Sequence, residues 1–180
     1  MKFILLAAAF VFTAVLSAAE IKVDLSKAKV GDTKAPGWSL NGLNVKEPGK
    51  ISIVEGSKAG TLAIQVVTGE YATPYFRTNS IPTKAGDTLK VTAKIKGEGK
   101  ATFGVYGYAV KGFVPTLTPG KAFDLTADFQ EVVYEVELVE TKVKDKEGNI
   151  KAVASIRPVF TTAANSKLII EDMKLEVIAK

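Results

Sequence analysis

Residues 88–96 read Thr-Leu-Lys-Val-Thr-Ala-Lys-Ile-Lys, and this alternation constrains the fold more than any other feature of the chain. Leu89, Val91, Ala93 and Ile95 fall on one side, and Lys90, Thr92, Lys94 and Lys96 on the other. Side chains of an extended strand point alternately to opposite faces, so the pattern builds one dry and one wet sheet face. A helix needs apolar residues every third or fourth position. No segment beyond the first residues keeps that period for a helix's length. Instead, about ten short strands follow one another at ~8–14-residue spacing, divided by Gly, Pro and Asn turns. The expectation is an all-β chain, an antiparallel β-sandwich or jelly roll.

The first residues stand apart. Lys2 precedes a nearly unbroken apolar run over residues 3–16, too short to span a bilayer comfortably. Ser17-Ala18-Ala19 then sets small residues where a signal peptidase cuts, before Glu20. Residues 1–19 read as a signal peptide and 20–180 as a single domain. The chain has no cysteine, so neither a lipid-anchored cysteine nor a disulfide is available. Export without cysteine points to a bacterial secreted or periplasmic protein. The formal net charge is +5, carried mostly by scattered lysines, with Arg77 and Arg157 the only arginines. Scattered lysines solvate strands and protect sheet edges. A nucleic-acid surface would cluster arginine, so nucleic acid is not an expected partner.

Residues 50–54 and 61–67 are β-branched runs around a glycine-bearing loop and read as a hairpin. Residues 101–110 (Ala-Thr-Phe-Gly-Val-Tyr-Gly-Tyr-Ala-Val) form a strand with Phe103 and Val105 on one face and Gly104, Tyr106 and Tyr108 on the other. Gly97-Glu98-Gly99 joins this strand to residues 88–96, and the short link predicts that the two pair antiparallel. Their shared sheet would then be solvated on one side, leaving Tyr106 and Tyr108 exposed. Residues 71–78 alternate Tyr71, Thr73, Tyr75 and Arg77 against Ala72, Pro74, Phe76 and Thr78. Trp38, after Pro36-Gly37, is expected to plug the end of the core.

Several segments resemble the jelly-roll carbohydrate-binding modules of the family 4/9/22 type, within the wider galactose-binding-like sandwiches. They are residues 83–97 (Thr-Lys-Ala-Gly-Asp-Thr-Leu-Lys-Val-Thr-Ala-Lys-Ile-Lys-Gly), 99–106 (Gly-Lys-Ala-Thr-Phe-Gly-Val-Tyr), 123–132 (Phe-Asp-Leu-Thr-Ala-Asp-Phe-Gln-Glu-Val) and 168–176 (Leu-Ile-Ile-Glu-Asp-Met-Lys-Leu-Glu). Phe129 stands where that family usually has tryptophan, and Glu171-Asp172 where it has two aspartates. The resemblance implies a polysaccharide or oligosaccharide partner. Aromatic rings stack on the apolar faces of pyranoses while polar groups hold hydroxyls. Tyr106 and Tyr108, two residues apart on one face, are the leading platform. Tyr71, Tyr75 and Arg77 on a second strand, with Arg157 and Gln130, complete the expected ligand set. The resemblance also implies a structural calcium ion, for which Asp24 and Asp172 are the candidate ligands.

Catalysis has little to draw on. Without histidine or cysteine there is no Ser-His-Asp or Cys-His system and no usual zinc site. Glu135, Glu137 and Glu140 superficially resemble the acidic signature of jelly-roll glucanases, yet alternation puts Glu140 out of phase with the other two. The chain therefore reads as a non-enzymatic binding protein. The alternative is a secreted structural sandwich that self-associates or docks at the cell envelope.

Overall fold

The computed structural model describes residues 19–36, 38–41, 49–69, 75–78, 80–110, 112–114, 120–139 and 144–180. The strands are β1 (Ala19–Lys22), β2 (Trp38–Asn41), β3 (Lys50–Glu55), β4 (Leu62–Val67), β5 (Tyr75–Thr78), β6 (Ile81–Pro82) and β7 (Thr88–Glu98). They continue with β8 (Lys100–Tyr108), β9 (Phe113–Val114), β10 (Lys121–Asp124), β11 (Gln130–Glu137), β12 (Ser155–Thr162) and β13 (Lys167–Ile178). Among the described residues there is no helix, and so none long and apolar enough to cross a membrane.

The strands form two antiparallel sheets. Sheet I runs β11-β7-β13-β4-β3, with β1 also on β13. Sheet II runs β10-β8-β12-β5-β2, with β6 on β12 and β9 on β8. The two orders match chain segment for chain segment. Each of β10–β11, β7–β8, β12–β13, β4–β5 and β2–β3 contributes one strand to each sheet, in the same lateral order. The sandwich is one five-ribbon layer folded over on itself.

This arrangement corrects the expected pairing of residues 88–96 with 101–110. β7 pairs with β11 and β13, and β8 with β10, β12 and β9. A two- or three-residue glycine link suits a hairpin or a sheet-to-sheet corner equally well, and here the corner wins. Gly97 has φ +146°, and a Cβ there would fall on the carbonyl oxygen of Lys167. Neighbouring crossings lock the corner: Gly97 N donates to Thr126 O at 2.8 Å, Leu125 N to Gly99 O at 2.9 Å, and Ala163 N to Lys100 O at 3.1 Å. The buried Thr68 hydroxyl donates to Ala163 O at 2.6 Å and accepts from Ser166 N at 2.8 Å, tying in the chain that leaves β4.

Between the sheets lies the core. Phe103, Phe160, Ile53, Ile64, Leu89, Ile95, Leu138, Ile156, Leu168, Ile170 and Leu175 are fully buried. Burying each such side chain stabilises by roughly 1.5–3 kcal/mol. Phe103 and Phe160 face each other across the β8–β12 ladder with ring centroids 3.9 Å apart and planes at 72°. Trp38 is buried in the core, its ring 5.4 Å from that of Phe160. It opens strand β2.

Candidate functional site

The alternation of β8 holds along its whole length. Ala101, Phe103, Val105 and Gly107 are buried toward the core, while Thr102, Gly104, Tyr106 and Tyr108 are half-buried on the outer face of sheet II. β12 matches it. Ile156, Pro158 and Phe160 are buried, and the register sets Ser155 opposite Tyr108, Arg157 opposite Tyr106, Val159 opposite Gly104 and Thr161 opposite Thr102. Directly opposed side chains on one face stand close enough to act together.

Arg157 is held from two sides. Its Nε donates to Ser80 Oγ at 2.9 Å, and its guanidinium carbon lies 4.8 Å from the centroid of the Tyr108 ring. A cation over an aromatic face within about 6 Å is attracted by the ring's quadrupole, so Tyr108 and Arg157 position each other. Val159 is 3% exposed yet outside the core cluster, so it forms an apolar floor beneath its neighbours on this outer face. At the next position, a Cβ on Gly104 would meet the Gly120 Cα at 3.7 Å, an ordinary contact, so the chain at Gly120 lies against this part of the face. The tyrosine phase expected from the sequence is thus observed, although the reason differs. β7, whose lysines were to show that this face is wet, lies in the other sheet.

The rest of the expected ligand set divides. The register places Arg77 opposite Val159 and Tyr75 opposite Thr161, in the same rows as Gly104 and Thr102. Ser39 and Asn41 of β2 continue those rows. Tyr71 lies outside the described residues. Gln130 does not join the set. It opens β11 in sheet I, opposite Ile95, and its Nε2 donates to Asp124 O at 2.7 Å. Its role is to brace the β10–β11 crossing, which strand phase alone does not reveal.

Asp24 and Asp172 have other engagements. Asp24 accepts from Ser26 N at 2.9 Å, and the Ser26 side chain, together with that amide, holds its carboxyl below the usual range. Asp172 pairs with the Lys94 ammonium at 2.8 Å, which raises the Lys94 pKa. Calcium takes six to eight oxygens. No three carboxylates among the described residues gather into such a shell, and a lysine ammonium already occupies one of the two candidates.

Two carboxylates are buried among the described residues, Asp87 and Glu171, each 4% exposed, and Glu171 is the one beside Asp172. It sits at a bulge where the β13–β7 register shifts and Asp172 takes φ +52°. Its Oε2 accepts from Ser57 N and its Oε1 from Thr61 Oγ, both at 2.9 Å, clamping the β3–β4 turn. Burial pushes the Glu171 pKa up, but these hydrogen bonds outweigh it and leave the group below its ordinary value. Beside it, a recess of about 350 Å³ opens between β1 and β4, lined by Val23, Leu25, Leu62, Ile170 and Met173. Of the glucanase-like carboxylates, Glu135 lies opposite Lys90 and Glu137 beside Lys180 at 3.3 Å on the outer face of sheet I, and Glu140 lies outside the described residues.

No protein-family model and no curated protein sequence matches the chain. Solved structures do. The N-terminal CBM22-1–CBM22-2 tandem domain from Paenibacillus barcinonensis Xyn10C superimposes with a TM-score of 0.57 at 14% identity, over 93% of this chain and 48% of that one. The CBM22-1–GH10 modules of Clostridium thermocellum endo-1,4-β-D-xylanase 10B, solved with xylohexaose, give 0.52 at 15% identity over 83% and 27%. The enzymatically active domain of bacteriophage CBA120 tailspike protein 4 gives 0.57 at 9% identity over 79% and 20%. The chain thus spans less than half the length of each, and it shares with them the fold of a carbohydrate-binding-module-like jelly roll.

Proposed function

We propose that this chain is an exported, non-catalytic glycan-binding sandwich that takes polysaccharide on the outer face of sheet II. The observation that carries the reading is the juxtaposition of Tyr106, Tyr108 and Arg157, half-buried and braced on one face by the β8–β12 register. Tyrosine supplies an apolar surface to a pyranose at low entropic cost, and a fixed guanidinium orients it by hydrogen bonds. Jelly-roll modules with this fold accompany xylanase sequences, which supports a sugar polymer as the ligand class. The apolar run over residues 3–16 supports export.

The test is isothermal titration of the protein purified from residue 20 onward, after a glycan array has chosen the polymer. Tyr106→Ala and Tyr108→Ala should each weaken binding by about tenfold or more, as loss of an anchoring ring does. Unchanged affinity in both variants would overturn the reading. A chelator should leave binding intact, because the proposed contacts are the rings of Tyr106 and Tyr108 and the Arg157 guanidinium, none of which takes a cation.

A further inference from the structure

The basic residues of this chain are not distributed alike. Of the 24 lysines and arginines only two are arginines, Arg157 on the outer face of sheet II and Arg77 in the neighbouring strand β5. In the strand register Arg77 is opposite Val159, two positions along β12 from Arg157. The face around them carries Ser, Thr, Gly, Val and Tyr in the described positions of β8 and β12. Asp124, at the end of β10, pairs with Lys100 at 3.3 Å. No carboxylate among the described residues pairs with Arg157.

We infer that the glycan is acidic, a polymer of uronic acid units, an inference that rests on the glycan-binding reading above. A guanidinium is a planar fork that matches a carboxylate with two parallel hydrogen bonds, which an ammonium does not. Arg157 spends its Nε on Ser80 and stacks on Tyr108, so the fork is oriented before a ligand arrives and its terminal nitrogens remain for the carboxylate. A neutral sugar would leave this oriented positive charge without a counter-charge.

The experiment is affinity electrophoresis and titration against polygalacturonate, the same polymer fully methyl-esterified, xylan and dextran sulfate. Polygalacturonate should bind, and esterification should weaken binding about tenfold or more by removing the charge-assisted pair. Arg157→Gln should lose a similar factor and Arg157→Lys should recover only part of it, with circular dichroism reporting that both variants fold. If a variant fails to fold, the esterified polymer still decides the question. Equal or tighter binding of xylan or the ester overturns the acidic assignment and leaves the glycan reading standing. Binding of no polymer overturns both. Equal binding of dextran sulfate, with Arg157→Lys as good as the native protein, means plain polyanion adsorption and overturns carboxylate recognition.

Discussion

The two outer faces of this sandwich are built from the same strand rules and come out opposite. On sheet I, Glu131, Glu135 and Glu137 of β11 lie across from Lys94, Lys90 and Thr88 of β7, and Lys94 and Lys90 lie in turn across from Glu171 and Glu176 of β13. Ion pairs close the lattice, Lys94–Asp172 at 2.8 Å and Lys174–Glu176 at 2.9 Å. These charges lie beside neighbours of opposite sign, while Lys96 rests over the Phe129 ring, 4.5 Å from its centroid. On sheet II the equivalent positions hold Tyr106, Tyr108, Arg157 and Gly104, with hydroxyls around them. Among the described residues no carboxylate pairs with Arg157, and Tyr106 and Tyr108 are half-buried. The contrast teaches that a wet face is not by itself a binding face. What distinguishes the second is charge left without a partner beside rings that are already oriented.

The hardest blow to this contrast falls on the corner that creates it. Gly97→Ala should cost more than about 3 kcal/mol, because it combines a strained φ with a Cβ driven into the Lys167 carbonyl. Both faces should be lost together, seen as insoluble protein or a collapsed thermal transition. A soluble variant with native melting would show that the corner is looser than its geometry implies.

Glu171 comes next, because it anchors the β3–β4 turn on the charged side. Glu171→Ala should lose about 1–3 kcal/mol by leaving the Ser57 amide and Thr61 hydroxyl without their acceptor. Its folded pKa is depressed, so its stabilisation is fully present above the unfolded carboxylate value and is lost as pH falls through the lower folded value. Melting of the native protein and of Glu171→Gln, followed from pH 6 to pH 2, should converge at the acid end. A gap that widens there would reverse the sign assigned to this group.

The mildest change sharpens the comparison. Lys90→Ala with Glu135→Ala removes an opposed pair from the face of sheet I. Melting should shift by no more than about 2 °C, and polymer binding should stay as it is. A fall in binding would move the site to the other sheet.

The charged and aromatic faces were legible to different depths. Alternation of small, aromatic and apolar residues in 101–110 is a local property, so the phase of Tyr106 and Tyr108 could be read directly. The same holds for Arg157, set between the core residues Ile156 and Pro158. Gln130 was misplaced because its phase says nothing about which sheet its strand joins. Glu171 stood out only as part of the Glu171-Asp172 pair, and neither its partners nor those of Thr68 could be read locally, since they lie 95 or more residues away.

Strand period and turn residues determined that this chain makes a two-faced β-sandwich and which side of each strand meets water. That follows because backbone geometry and hydrophobic burial act over a few residues. Tertiary structure alone decided that β7 and β8 part at Gly97 into different sheets, and that Arg157 comes to rest opposite Tyr106 and over Tyr108. Pairing partners are chosen by the whole folded layer, where the five ribbons turn the same corner side by side, and no short stretch of sequence contains that choice.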